Sequence, residues 1–116
     1  MAYQAQCHCG AVAVDIDGEL PDKAVVCNCS HCQAKGLVLA AVPGSSVKLT
    51  SGEDALKTYQ FNTHKIDHHF CSACGTQPFS QGTGRDGSPM AMINLRCVSE
   101  VDLEAIEKIP FDGASL

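Results

Sequence analysis

The chain has 116 residues, of which 45% are hydrophobic, and its formal net charge is −5. This length is enough for one domain with its own core and too short for two, so we predict a single domain over residues 1–116. The eight Lys and Arg residues are scattered singly along the chain. Without a basic stripe to hold phosphates, nucleic-acid binding is not expected.

Neither terminus nor interior carries a membrane signal. The N-terminal stretch MAYQAQ lacks the charged and apolar regions of a signal peptide. The longest apolar run, LVLAAV at residues 37–42, is far too short to span a bilayer. We therefore expect a soluble, cytoplasmic protein that has no membrane partner.

Most segments are predicted to be short β-strands separated by turn residues. The first, GAVAVDI at residues 10–16, alternates and is β-branched, and a turn follows at residues 17–22. LVLAAV is predicted to be a buried strand that ends at Pro43 and Gly44. Further strands are predicted at residues 47–50, 56–61 and 89–96, the last after a loop at residues 82–87.

Helix signals are few. A single turn could follow Cys32, and Ser99 could cap a short helix through VDLEAIEK. The predicted fold class is therefore mainly β, with small antiparallel sheets and one or two short helices.

Eight cysteines could form four disulfides or could bind metal. They fall into three clusters and one isolated residue. The first cluster is Cys7 with Cys9, the second is Cys27 with Cys29 and Cys32, and the third is Cys71 with Cys74; Cys97 is isolated. A cytoplasmic chain meets a reducing thiol pool, and C-x-C spacing is poor for a local bridge but suits two ligands of one ion. The pattern favours metal sites over disulfides.

A four-cysteine zinc site is the strongest prediction from spacing. Cys71 and Cys74 form a C-x-x-C motif followed by Gly75, which is typical of a zinc knuckle. Glycine permits the tight turn that brings two sulfurs to one ion. With Cys7 and Cys9 the site has four ligands, as closed structural sites do, and it would stabilise a small core by several kcal/mol.

The trio Cys27, Cys29 and Cys32 then has three ligands for a second zinc, with one coordination position open as in catalytic sites. Such a soft, open site would suit an incoming thiol. Two other interpretations stay open at this point. His31 or Cys97 could complete a second structural site, or the trio could be three reduced thiols that bind no metal.

Histidines are the candidate proton acceptors, because they titrate near neutrality. His31 lies within the trio and is the predicted catalytic residue; the plainer interpretation is a loop residue or a donor to a ligand sulfur. His64, His68 and His69 precede the zinc knuckle. His68 and His69 are adjacent in a predicted strand, so at most one of them should face the core.

Four other residues have two interpretations each. Cys97 is predicted to pack as a small hydrophobe, with a reactive thiol as the alternative. Arg85 could meet a substrate carboxylate or lie in a solvated loop. Asn62 and Asn94 could line a pocket or be ordinary strand residues.

The chain resembles one protein family. The motifs are C-H-C-G-A-V from residue 7, C-N-C-S-H-C from residue 27 with a following K-G, F-C-S-A-C-G-T-x-P-F from residue 70, and I-N-L-R-C from residue 93. Together they are similar to those of the glutathione-dependent formaldehyde-activating enzyme family, which also includes centromere protein V. The similarity extends from about residue 4 to the C-terminal FDGASL, and it is greatest to a short branch of the family.

The resemblance implies a β-tent fold, in which small antiparallel sheets lean together and are pinned by zinc. It also implies two ligand sets. The structural zinc ligands are Cys7, Cys9, Cys71 and Cys74, and the catalytic zinc ligands are Cys27, Cys29 and Cys32. The implied activity is the addition of glutathione to formaldehyde, which gives S-hydroxymethylglutathione and is classified as a carbon–sulfur lyase reaction.

We therefore predict a zinc-dependent carbon–sulfur lyase-like enzyme, which activates glutathione or a similar thiol for addition to a small aldehyde, or catalyses the reversal. The alternative is a non-enzymatic zinc-binding module for protein interaction, which would need only the four-cysteine site. A methionine sulfoxide reductase B-type enzyme fits less well, because that family has two C-x-x-C motifs. No oligomeric state is predicted.

Overall fold

A computed structural model of the chain describes residues 2–61, 65–84 and 86–115, and within them the chain forms ten β-strands and one α-helix. The strands are β1 (Ala2–Gln6), β2 (Ala13–Asp17), β3 (Lys23–Cys27), β4 (Leu39–Pro43), β5 (Val47–Ser51), β6 (Leu56–Tyr59), β7 (Asp67–Cys71), β8 (Phe79–Thr83), β9 (Pro89–Asn94) and β10 (Glu107–Phe111). The helix α1 spans Ser30–Lys35. The predicted mainly-β class is confirmed.

The strands form two sheets. One has the order β1-β2-β5, and the other has the order β10-β3-β4-β9-β8-β7-β6. Pairs between neighbours are antiparallel except β10 and β3, which are parallel. This parallel pair departs from the predicted antiparallel sheets. It is possible because the long chain between β3 and β10 can return to the starting end of β3.

Both helix predictions need correction. The helix begins at Ser30 rather than after Cys32, so that Cys32 lies within it. The segment VDLEAIEK forms a turn and the start of β10 instead of a helix. In this turn the Asp102 side chain accepts hydrogen bonds from two following backbone amides, at 3.1 and 3.3 Å. This local bonding closes one turn and competes with a continuing helix.

The main core lies between the two sheets. Alternate residues of β1 and β2 point inward, and they pack against residues of β3, β4, β8 and β9. Its buried members are Tyr3, Ala5, Val14, Ile16, Ala24, Val38, Ala40, Phe79, Ile93, Leu95 and Val98. A second, smaller apolar cluster surrounds Cys7, Val12 and Cys71. Among the described residues, no helix has the length and hydropathy needed to cross a bilayer.

Candidate metal centres

Four cysteines converge where the two sheets meet. Cys7 follows β1 of the smaller sheet and Cys9 lies in the next turn, whereas Cys71 ends β7 of the larger sheet and Cys74 lies in the turn after it. Their sulfur atoms all lie within 4.8 Å of one another. The structure therefore brings together the four cysteines that the sequence analysis grouped.

The distances between sulfurs fit a tetrahedral ion. The Cys9 sulfur lies 3.7 Å from that of Cys7 and 3.6 Å from that of Cys71. A zinc–sulfur bond length of ~2.3 Å in tetrahedral geometry requires sulfurs about 3.8 Å apart. All eight cysteines are free thiols, so no disulfide competes for these sulfurs. The four-cysteine cluster can hold a metal ion.

Backbone amides and glycine turns hold these ligands. The Val12 amide donates to the Cys7 sulfur at 3.2 Å, which stabilises a thiolate. The Gly75 amide donates to the Cys71 carbonyl at 2.7 Å, and Gly75 has a φ of 81°. A residue with a β-carbon rarely adopts this backbone conformation, so glycine is required for the turn.

The pKa values of these thiols indicate a shared negative charge. Hydrogen bonds from Thr76 lower the pKa of Cys74 to about 5. The Ala11 amide favours the thiolate of Cys9, but the neighbouring thiols of Cys71 and Cys7 outweigh it and raise the Cys9 pKa to about 11. Four thiolates this close repel one another, and a cation between them would remove that repulsion.

The second cluster comprises Cys27, Cys29 and Cys32, and we call it the trio. Cys27 ends β3, Cys29 is the N-cap of α1, and Cys32 lies in the first turn of that helix. The three sulfurs lie within 4.8 Å of one another. Backbone amides donate to the sulfurs of Cys27 and Cys29 at 3.4 Å each. The trio can also hold a metal ion, with fewer ligands than the first cluster.

Helix capping and burial shift the trio's pKa values in opposite directions. Burial opposes ionisation of Cys29, but hydrogen bonds from the Cys32 amide and the neighbouring thiols prevail and lower its pKa. Burial raises the pKa of Cys32, and the adjacent thiols raise it further. A cation beside Cys29 and Cys32 would favour the thiolate form of both.

The C-terminal segment folds over the trio. The Asn28 side chain donates to an Asp112 carboxylate oxygen and accepts from the Ala114 amide, both at 2.9 Å. The Asn28 amide also donates to the Phe111 carbonyl at 3.1 Å. We call residues 112–115 the tail. Sequence reasoning missed this contact, and the only local signal was an amide residue between two ligand cysteines.

A cavity of about 610 Å³ opens beside the trio. Cys27 and Cys32 line it, together with Val26, Asn28, Gln33, Gly36, Leu37, Val38, Arg96, Lys108 and Pro110. Its volume is in the range of small-molecule sites. Two of the three trio residues therefore border a space that could hold a ligand.

His31 is not among the residues that line that cavity. Its ring stacks on Phe61, with centroids 5.0 Å apart, and tilts against His68 at 4.1 Å. Among the described residues, neither ring nitrogen of His31 has a hydrogen-bond partner, and both are buried. Burial, together with the positive charge of Lys35, lowers the His31 pKa. Its predicted role as proton acceptor remains a prediction.

His68 and His69 are both buried, although they are adjacent in β7. Of the two, His69 packs against Phe79 of the main core, with ring centroids 4.9 Å apart, which agrees with the expectation that at most one of them faces the core. His69 is a structural histidine whose ring nitrogens contact Thr58 at 2.9 Å and Gln81 at 2.8 Å. His68 packs against His31, and burial lowers its pKa to about 4.

The remaining candidates lie outside both clusters or outside the described residues. Cys97 packs against the main core, and its sulfur lies 3.8 Å from the Gln77 carbonyl oxygen. Burial raises its pKa to about 11, which is unlike a reactive thiol. Asn94 is buried and donates to the Gln77 carbonyl at 2.9 Å. Asn62, His64 and Arg85 lie outside the described residues.

Comparison with known proteins gives two similarities. The family described as "Glutathione-dependent formaldehyde-activating enzyme" matches residues 2–109, a range that includes both cysteine clusters. A crystal structure of a Rhodobacter sphaeroides protein, a structural genomics target, matches with a TM-score of 0.77 and 28% sequence identity. That similarity covers 92% of this chain and 97% of the other chain.

Proposed function

This chain belongs to the glutathione-dependent formaldehyde-activating enzyme family, and we propose on that premise that it is a zinc-dependent carbon–sulfur lyase-like enzyme. It would activate glutathione or a similar thiol for addition to formaldehyde or another small aldehyde, or catalyse the reverse reaction. The observation that carries the proposal is the position of the trio, since Cys27 and Cys32 line a cavity of about 610 Å³.

We assign a structural zinc to the four-cysteine cluster and a second zinc to the trio. Sulfur donors at tetrahedral spacing support zinc in the first, and thiolates are its common ligands. At the trio the bound ion would lower the pKa of a coordinating thiol, so that the thiolate nucleophile exists near neutral pH. That thiol would approach the trio from the cavity.

The reaction forms one carbon–sulfur bond. The thiol sulfur attacks the aldehyde carbon, the carbon–oxygen double bond becomes single, and the thiol proton is transferred to the oxygen. The apolar side chains of Val26, Leu37 and Val38 would exclude water from the reacting atoms. Atoms and charge balance, and no oxidant or reductant is needed.

We propose His31 as the group that accepts the thiol proton. Its position in the first turn of α1, between two trio cysteines, supports this role, and its ring nitrogens have no hydrogen-bond partner within the described part of the chain. Its ring packs against Phe61 and His68, so a change to Ala would also open a gap. His31→Phe keeps the packing and removes the nitrogens. We expect turnover to fall at least ~10-fold at unchanged zinc content; unchanged turnover would assign His31 a packing role only.

The proposal is tested by counting zinc ions per chain. Native mass spectrometry of protein kept in reducing, zinc-containing buffer should find two ions, and glutathione with formaldehyde should then give S-hydroxymethylglutathione faster than the protein-free reaction. One ion, held by the four-cysteine cluster, together with no rate increase, would favour the non-enzymatic interaction module instead. A Cys29→Ser control should lose the second ion and the turnover together.

A further inference from the structure

The cavity beside the trio has a charge opposite to that of the whole chain. The chain has a net charge of −5, with 13 acidic residues against 8 basic ones. Yet the described residues that line the cavity include two cations, Arg96 and Lys108, and no carboxylate. A random surface depression on this chain would more often contain acidic groups. The local positive charge therefore calls for a specific explanation.

Arg96 is fixed in place but keeps most of its donors. Its Nε donates to the Gly36 carbonyl at 2.5 Å, which ties the guanidinium to the C-cap of α1. Among the described residues this is the only hydrogen bond of a group that has five N–H donors. Both terminal nitrogens remain to bind a carboxylate in the paired geometry that guanidinium groups favour.

Lys108 adds a second charge. It lies in β10, and its Nζ donates to the carbonyls of Leu103 and Ile106, the latter at 3.4 Å. A carbonyl partner leaves the ammonium charge in place, so that it still acts on the cavity. Salt bridges with acidic side chains would cancel such charges, but neither cation has an acidic hydrogen-bond partner among the described residues.

We propose that Arg96, assisted by Lys108, is a specificity-determining residue, which selects thiols that carry a carboxylate over neutral thiols. This inference rests on the proposed function, since it assigns a role within the same site. A competing explanation is that the two cations only balance the negative charge of three thiolates around a divalent ion. That explanation predicts that the loss of Arg96 weakens metal retention and lowers the binding affinity of every thiol by the same factor.

The experiment compares two thiols on the zinc-loaded full chain by isothermal titration calorimetry. The probes are mercaptosuccinate, which is anionic, and 2-mercaptoethanol, which is neutral. Arg96→Gln should weaken mercaptosuccinate binding about 10-fold and 2-mercaptoethanol binding less than about 2-fold. Arg96→Lys should be intermediate. Lys48→Gln removes an equal charge from β5, outside the cavity lining, and should change neither affinity.

A salt series on the unaltered chain does not depend on any variant folding. Raising the ionic strength should weaken mercaptosuccinate binding, because a local attraction is screened. The net charge of −5 alone would have the opposite effect, since salt would relieve a general repulsion.

The results separate the two proposals. Equal losses for both thiols in Arg96→Gln, or a salt series in which mercaptosuccinate binding strengthens, would overturn the role of Arg96 and leave the proposed function standing. If neither thiol binds the unaltered zinc-loaded chain, the proposed function is overturned and this inference with it.

Discussion

Gly113 lies directly against the sulfur of Cys27. A β-carbon built on Gly113 would collide with that sulfur and would lie 3.5 Å from the β-carbon of Cys29. The tail therefore forms one side of the trio, while the cavity lies on another. The geometry of these ligand cysteines depends on a residue that follows them by more than 80 positions in the sequence.

Gly113→Ala should loosen the metal site at the trio. The new methyl group must displace either the tail or the Cys27 sulfur, since no space is available for it. We expect at least about 10-fold weaker retention of one zinc per chain, with the other ion unaffected, measured by native mass spectrometry during titration with a chelator. Ala114→Gly, a neighbouring change that adds no atoms, is the control. Equal retention in both variants would contradict the close packing of Gly113.

Asn28→Asp should release the tail. The substitution keeps the size of the side chain but places a carboxylate opposite the Asp112 carboxylate, in place of an amide that donates to it at 2.9 Å. Repulsion should raise the hydrogen-exchange rate of the Ala114 amide, whose partner is Asn28, about 10-fold at neutral pH. Lowering the pH until the carboxylates are protonated should reverse part of the change. If the Ala114 amide of the variant stays protected from hydrogen exchange at neutral pH, contacts other than those of Asn28 hold the tail.

The two cysteine clusters should differ in their contribution to stability. Cys71→Ser removes a buried ligand at the junction of the sheets and should lower the free energy of unfolding by several kcal/mol. Cys29→Ser should cost less than about 2 kcal/mol, because serine is a favoured N-cap and preserves the start of α1. Urea unfolding of the variants after incubation with zinc measures both losses of stability. Cys97→Ser, which changes a cysteine outside both clusters, is the comparison. A larger loss for Cys29→Ser would reverse the assignment of the structural site.

His68 should make the fold sensitive to mild acid. Burial lowers its pKa to about 4, below the ordinary 6.5; the charges of His31, Lys35 and His69 act in the same direction, and Asp67 acts against them. A histidine with a depressed pKa stabilises the fold fully above the unfolded pKa, and this contribution is lost as the pH falls through the folded value. The loss should be about 1.4 kcal/mol near pH 5.5 and approach about 3 kcal/mol below pH 4.

The measurement is urea unfolding of the wild type and of His68→Gln between about pH 7.5 and 4.5. Titrating groups that do not interact with His68 contribute equally to both proteins, so the difference between the two curves reports on His68 and its coupling to its charged neighbours. The wild type should lose more stability on acidification than the variant. Parallel curves would show that His68 is not kept neutral by its surroundings.

Local patterns in the sequence predicted roughly half of the strands. The strands β2, β4, β5, β6 and β9 have alternating or continuous apolar residues between turn residues, and all five were predicted within a few positions. The strand β7 was predicted only in that His68 and His69 were expected to lie in a strand, because adjacent histidines obscure the period of two. The strand β3 ends in a ligand cysteine and was not predicted. The strand β10 is exposed throughout and has no buried face to give a pattern.

The candidate site shows the same division between local and distant information. The cysteine clusters were predicted because the spacing of ligands within a turn is a local property. The contacts of Asn28 with the tail and the lining of the cavity by Arg96 and Lys108 were not predicted. The contacts of Asn28 and the place of Lys108 depend on the parallel return of β10 beside β3, which pairs Phe111 with Cys27. Arg96 is brought to the cavity by its hydrogen bond to the Gly36 carbonyl, 60 positions away. Neither contact is visible in any short window of sequence.

The place of the four-cysteine cluster, at the junction of the sheets, determines how fast its ion can exchange. Two of its ligands, Cys7 and Cys71, are almost completely buried, and the sulfurs of Cys9 and Cys71 approach each other across 62 positions of sequence. Because these two buried ligands come from different sheets, we expect separation of the sheets to speed the release of an ion bound to both, so that its exchange rate reports on that opening of the fold. The ion assigned to the trio, which adjoins an open cavity, should exchange without any such separation.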